Sequence, residues 1–114
     1  MSFQISSLNF KLSKHLTRLL IKRLQKLERP LKSFKLENET IFVTVEKYSH
    51  QDLYQAKILV HVPPNHRSEI KEEGITPEEA LNKAVFETKR VLEKYKAEEK
   101  DQHTILRRSK IKQE

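Results

Sequence analysis

A chain of 114 residues, 36% hydrophobic and 34% charged, has room for one domain with a thin core. It contains no cysteine, which excludes disulfides and thiolate metal sites. The net charge is +7, no apolar run approaches the roughly 18–20 residues of a membrane helix, and Met-Ser-Phe-Gln-Ile lacks the pattern of a signal peptide, so the expectation is a cytoplasmic protein.

Phe3-Gln-Ile-Ser-Ser-Leu8 alternates and predicts a short strand with Phe3 and Ile5 on one face. Ser13 is a candidate N-cap for a helix running to about Arg29. Leu16, Leu19, Leu20, Leu24 and Leu27 share a stripe, and Lys14, Arg18, Lys22, Lys26 and Arg29 take the other side. Arg23 falls inside the stripe, so its stem packs while its guanidinium reaches outward. Pro30 is expected to end the helix, because the residue before a proline is driven out of the α region.

Residues 39–47 alternate again, with Ile41, Val43 and Val45 on one face and Phe42, Thr44 and Glu46 on the other. Residues 53–62 predict a second long strand, with Tyr54, Ala56, Ile58, Val60 and Val62 facing inward, broken by Pro63-Pro64-Asn65. Residues 67–72 predict a weaker fourth strand at an edge. Gly74, the only glycine, is expected to allow a sharp turn. Thr76-Pro77-Glu78-Glu79 then opens a helix: Thr76 caps, Pro77 is the first helical residue, and Glu79 completes a capping box. This helix is expected to run to residues 96–100, burying Ala80, Leu81, Ala84, Val85, Thr88, Val91, Leu92 and Tyr95. Lys83, Arg90 and Lys94 lie on one flank, with Glu87 among them. Residues 101–114 carry Arg107, Arg108, Lys110 and Lys112 and read as a basic flexible tail beyond a domain of residues 2–100.

The order β-α-β-β-β-α predicts an α+β two-layer sandwich. One face of a four-stranded sheet carries both helices, and the other meets solvent.

The charge is unevenly placed. Residues 1–36 hold nine Lys/Arg and one acid, a net +8, whereas the remaining 78 residues hold 14 bases and 15 acids. A polyanionic partner accounts for this asymmetry, since Lys and Arg gain affinity by releasing counterions from phosphates. If the two helices lie side by side, the groove between them becomes a basic track.

Other chemistry has little support. A single glycine rules out a phosphate-cradling loop, and no serine sits in a nucleophile elbow. The five histidines are not joined by acids at metal-ligand spacing. No enzyme activity, cofactor, metal or small-molecule substrate is expected.

Five short segments resemble the ribosome hibernation-promoting factor family in its short, single-domain form. Arg23-Leu-Gln-Lys26-Leu27-Glu28 is similar to the family's basic-x-x-Lys-Leu segment. Val45-Glu46-Lys47-Tyr-Ser-His50 and His61-Val62-Pro63 are similar to its strand ends. Glu79-Ala80-Leu81 and Leu92-Glu-Lys94-Tyr-Lys96 are similar to its last helix. The likeness covers roughly residues 2–97. It departs at Phe86-Glu87-Thr88, where the family has Asp-Lys-Leu.

The resemblance implies a fold like that of a double-stranded-RNA-binding domain. It also implies a stress and stationary-phase translation silencer, monomeric off the ribosome, that binds small-subunit rRNA in the mRNA and tRNA channel. The expected RNA-binding residues are Arg18, Lys22, Arg23, Lys26, Arg29, Lys83, Arg90, Lys94 and Lys96. Two other readings compete: a regulatory protein-interaction domain whose basic helix meets an acidic surface, and a generic double-stranded RNA binder.

Overall fold

A computed structural model describes residues 2–34, 40–62 and 66–113, with backbone alone for residues 66 and 99–113. The expected strand start at Glu39 and the expected break at Pro63-Pro64-Asn65 lie outside the described residues. Four strands, β1 (Ser2–Leu8), β2 (Thr40–Lys47), β3 (Tyr54–Val62) and β4 (His66–Gly74), form one sheet in the order β1-β2-β3-β4. β1 pairs with β2 in parallel; the other pairings are antiparallel. The parallel pair follows from the helical crossover that separates these two strands, whereas antiparallel neighbours need only short connections.

Alternation decides which way each strand faces. Ile41, Val43 and Val45 of β2 and Ala56, Ile58, Val60 and Val62 of β3 are at most 1% exposed. They form one cluster with Leu20, Leu24, Leu27 and Leu31 from the first helical segment and with Ala80, Leu81, Ala84 and Leu92 from the last helix. Both helices therefore cover the same sheet face. Each large side chain in this single layer contributes about 1.5–3 kcal/mol by leaving water.

The first helical segment is α1 (Lys14–Leu24), a 3-10 turn over Gln25–Leu27, and α2 (Glu28–Lys32). The Ser13 hydroxyl accepts a hydrogen bond from the Leu16 amide at 3.1 Å, capping α1. The first turn has no acid and the last turn holds Lys22 and Arg23, which suit the negative end of the dipole. Pro30 does not end the helix, contrary to expectation. The path tightens before it and restarts at Glu28, so Pro30 falls in a first turn, where a missing N–H costs little. The restart carries Leu31 into the core.

The Thr76 hydroxyl accepts from the Glu79 amide at 3.0 Å and opens α3 (Pro77–Gln113). The expected end near residues 96–100 is not observed, and the backbone of the helix continues to Gln113. Residues 97–113 contain no proline or glycine, so nothing in the sequence forces a stop. At about 1.5 Å per residue the helix runs to about 55 Å, which accounts for the 64 Å long axis of the molecule.

Gly74 also differs from expectation. It does not adopt a positive φ, so the turn does not require glycine. Space does: a Cβ at this position would lie 2.5 Å from the Ala80 amide nitrogen and 3.0 Å from its Cα. The last residue of β4 is thus packed against the first turn of α3.

Two hydroxyls, Thr88 Oγ1 and Ser68 Oγ, are buried with no hydrogen-bond partner. Thr88 is 0% exposed. Thr88→Val keeps the shape and removes the orphaned group, so it should stabilise the fold by about 1 kcal/mol. The melting temperature should rise by roughly 4–8 °C. A fall in a thermal melt would show that the hydroxyl is satisfied in solution.

Candidate nucleic-acid interface

The first helical segment and α3 lie side by side and leave a cleft of about 350 Å³ between them. One wall is Lys26, Arg29, Pro30 and Ser33; the other is Lys89, Leu92, Glu93 and Lys96. The second wall follows from helical spacing. Lys89, Leu92, Glu93 and Lys96 stand at i, i+3, i+4 and i+7, a single stripe beside the buried one. The cleft therefore brings four cations together against one acid.

Side-chain contacts tie the two walls. Arg23 Nη2 donates to Glu78 Oε1 at 2.6 Å, joining α1 to the first turn of α3. Lys96 Nζ donates to the Ser33 carbonyl at 3.1 Å and lies 5.4 Å from the Phe34 ring centroid. Arg23 is half-buried, as its place in the leucine stripe predicts, and its Nε is buried without a partner. These contacts fix the separation of the helices, so the cleft is formed before any ligand arrives.

The nine expected binding residues fall into separate groups. Lys26 and Arg29 are exposed on the cleft wall. Arg23 and Lys96 are engaged in holding the helices together, although Lys96 also lines the cleft. Arg18 and Lys22 are exposed on α1. Lys83, Arg90 and Lys94 lie about 100–160° round α3 from Lys89 and Lys96, at about 100° per residue, and so point away from the cleft. Lys83 contacts the Glu73 carbonyl and the Glu79 carboxylate, each at 3.2 Å, and Arg90 lies 3.7 Å from Glu87. Lys94 is exposed.

Lys89 completes the cleft, and sequence reasoning missed it. Its signal is the seven-residue spacing to Lys96, which places both on one stripe. Among the described residues, no group of three or more His, Asp or Glu side chains is placed to hold a metal. Nor is any helix among them long and apolar enough to cross a membrane.

Comparison with known proteins agrees with this architecture. The chain is similar in fold to the Thermus thermophilus Protein Y N-terminal domain, with a TM-score of 0.66 and 18% identity over 83% of this chain and 99% of that one. It is similar to a ribosomal subunit interface protein from Coxiella burnetii, with a TM-score of 0.71 and 18% identity over 85% and 99% of the two chains. Comparison with curated protein sequences returns no significant match. Residues 3–100 match the family described as sigma 54 modulation protein / S30EA ribosomal protein. With the β-α-β-β-β-α order and nearly the whole domain matched, the chain belongs to this ribosome-associated family, the one its sequence resembles.

Proposed function

We propose that this chain silences translation by binding small-subunit rRNA in the mRNA and tRNA channel and excluding both ligands by occupancy. The observation that carries the reading is the preformed cleft, where Lys26, Arg29, Lys89 and Lys96 face one acid, Glu93. Such a track neutralises successive phosphates without reading bases, as binding to a folded rRNA backbone requires. Membership of a ribosome-associated family supports the choice of partner, and the description of the Coxiella burnetii relative as a ribosomal subunit interface protein points the same way. The protein acts by binding, in the cytoplasm, as a monomer when off the ribosome and under stress or in stationary phase. Arg18 and Lys22 extend the basic face beyond the cleft. Lys83, Arg90 and Lys94 serve a second strand of the same RNA on the outer flank of α3.

Sedimentation with separated ribosomal subunits tests this reading. The protein should travel with the small subunit and be displaced by bound tRNA and mRNA. Equal binding to both subunits, or indifference to tRNA, would replace it with generic RNA binding.

Residues 101–114 add four cations, Arg107, Arg108, Lys110 and Lys112, whose side chains lie outside the described residues. We assign them to a basic arm that follows the RNA. Deleting residues 101–114 should weaken ribosome binding and flatten its salt dependence, while thermal stability barely moves. Equal affinity and equal salt slope for the truncated chain would make the segment an inert extension.

A further inference from the structure

The sheet has a second face, turned away from the helices, and its pattern is unusual for a surface that meets only water. Strand alternation places Phe42 and Thr44 of β2, Lys57, Leu59 and His61 of β3, and Arg67, Glu69 and Lys71 of β4 on this open side. Phe42 is 51% exposed and stands directly opposite Leu59. Lys57 stands directly opposite Lys71, and His61 directly opposite Arg67. Like charges facing each other across a strand pair destabilise the sheet. Lys57 and Lys71 are such a pair on one side of the Phe42–Leu59 row, and on the other side Arg67 faces the imidazole of His61. The one acid in this stretch, Glu69, stands directly opposite Leu59 at the β4 end of that row and lies 3.8 Å from Lys71. The remaining acids of this face on β2 and β4, Glu46 and Glu73, lie in the row that contains Gln55, toward the other end.

We propose that the open sheet face is a second RNA site, which takes a single-stranded segment with one unstacked base over Phe42 and Leu59. Lys57, Lys71 and Arg67 neutralise the flanking phosphates. Charge complementarity favours this occupant over a protein partner. An anionic strand relieves the repulsion between facing cations, and an exposed phenyl amid them offers the flat apolar surface on which bases stack. The site is on the opposite side of the sheet from the interhelical cleft, so the domain grips two RNA segments at once. It does not depend on the assignment of the cleft.

The test uses the full chain and a short fluorescein-labelled oligouridine, read by anisotropy. Phe42→Ala should weaken binding about fivefold to a hundredfold, whereas Phe42→Tyr should retain it. Lys57→Glu should also weaken binding. Its melting temperature should hold or rise, because it converts a repulsive cross-strand pair into an attractive one, a split that a merely structural lysine would not produce. The effect of Phe42→Ala should persist in a background where Lys26, Arg29 and Lys89 are replaced by glutamate. Unchanged oligouridine affinity for Phe42→Ala overturns the proposal. So does the case in which that variant binds oligouridine normally but is released from intact ribosomes, which would assign the face to a ribosomal protein.

Discussion

Replacing Lys26, Arg29 and Lys89 together with glutamate is expected to abolish co-sedimentation with small ribosomal subunits while leaving the fold intact. Lys26, Arg29 and Lys89 are exposed, and none of them takes part in the clamps that join the helices. Each substitution should therefore change stability by no more than about 0.5 kcal/mol. The effect on binding is far larger, because a cleft of four cations and one acid becomes one of a single cation and four acids. Single neutral substitutions separate the contributions. Each one that removes a cation from a phosphate should lower the slope of log affinity against log salt by about 1. A triple variant that still sediments with subunits would move the interface elsewhere on the molecule. Lys83, Arg90 and Lys94 on the outer flank of α3 would then be the next candidates.

Gly74→Ala is expected to have the largest effect on stability of any conservative substitution in the chain. The added methyl meets backbone atoms, the Ala80 nitrogen at 2.5 Å and the Glu79 carbonyl carbon at 3.0 Å, and backbone in a capped first turn cannot swing aside. Overpacking of this kind costs about 1–3 kcal/mol, or roughly 5–20 °C in melting temperature. The damage should also reach the interface. Glu78 sits in the displaced turn and holds Arg23, so a shift of α3 alters the spacing of the helices and thus the cleft. Gly74→Ala should accordingly melt lower and bind subunits more weakly, even well below its melting temperature. A melting temperature within a degree or so of the parent would mean that β4 and α3 have slack at this junction.

Much of the architecture is legible in the sequence because it rests on local rules. The alternation through Ile41, Val43 and Val45 and through Ala56, Ile58, Val60 and Val62 sets both the strands and the buried face. The two caps, Ser13 and Thr76, make the hydrogen bonds that their residue types suggest. What local rules miss is decided by packing. The path from Leu24 to Lys32 tightens and restarts so that Leu27 and Leu31 both reach the core, and a proline rule applied to residue 30 alone cannot foresee this. Gly74 is read from sequence as a turn former, but it is needed for a close approach to a residue six positions on.

The candidate site shows the same division. Lys26 and Arg29 are found because their helix has a single apolar stripe and every cation opposite it is exposed. α3 presents two flanks beside its buried stripe, and the sequence does not say which one meets the first helix. Read from sequence, the candidates are Lys83, Arg90 and Lys94 together with Lys96; of these only Lys96 lines the cleft, where Lys89 joins it. Alternation marks Phe42 only as the outward member of a strand. Its neighbours across the sheet become visible only with the register of β2, β3 and β4.

Chemical footprinting of small-subunit rRNA, with and without the protein, tests the central claim most directly. The rRNA that lines the mRNA and tRNA channel should be protected, and the Lys26, Arg29 and Lys89 triple variant should abolish that protection. Protection confined to other parts of the subunit, or none at all while the protein still sediments with it, would contradict the account.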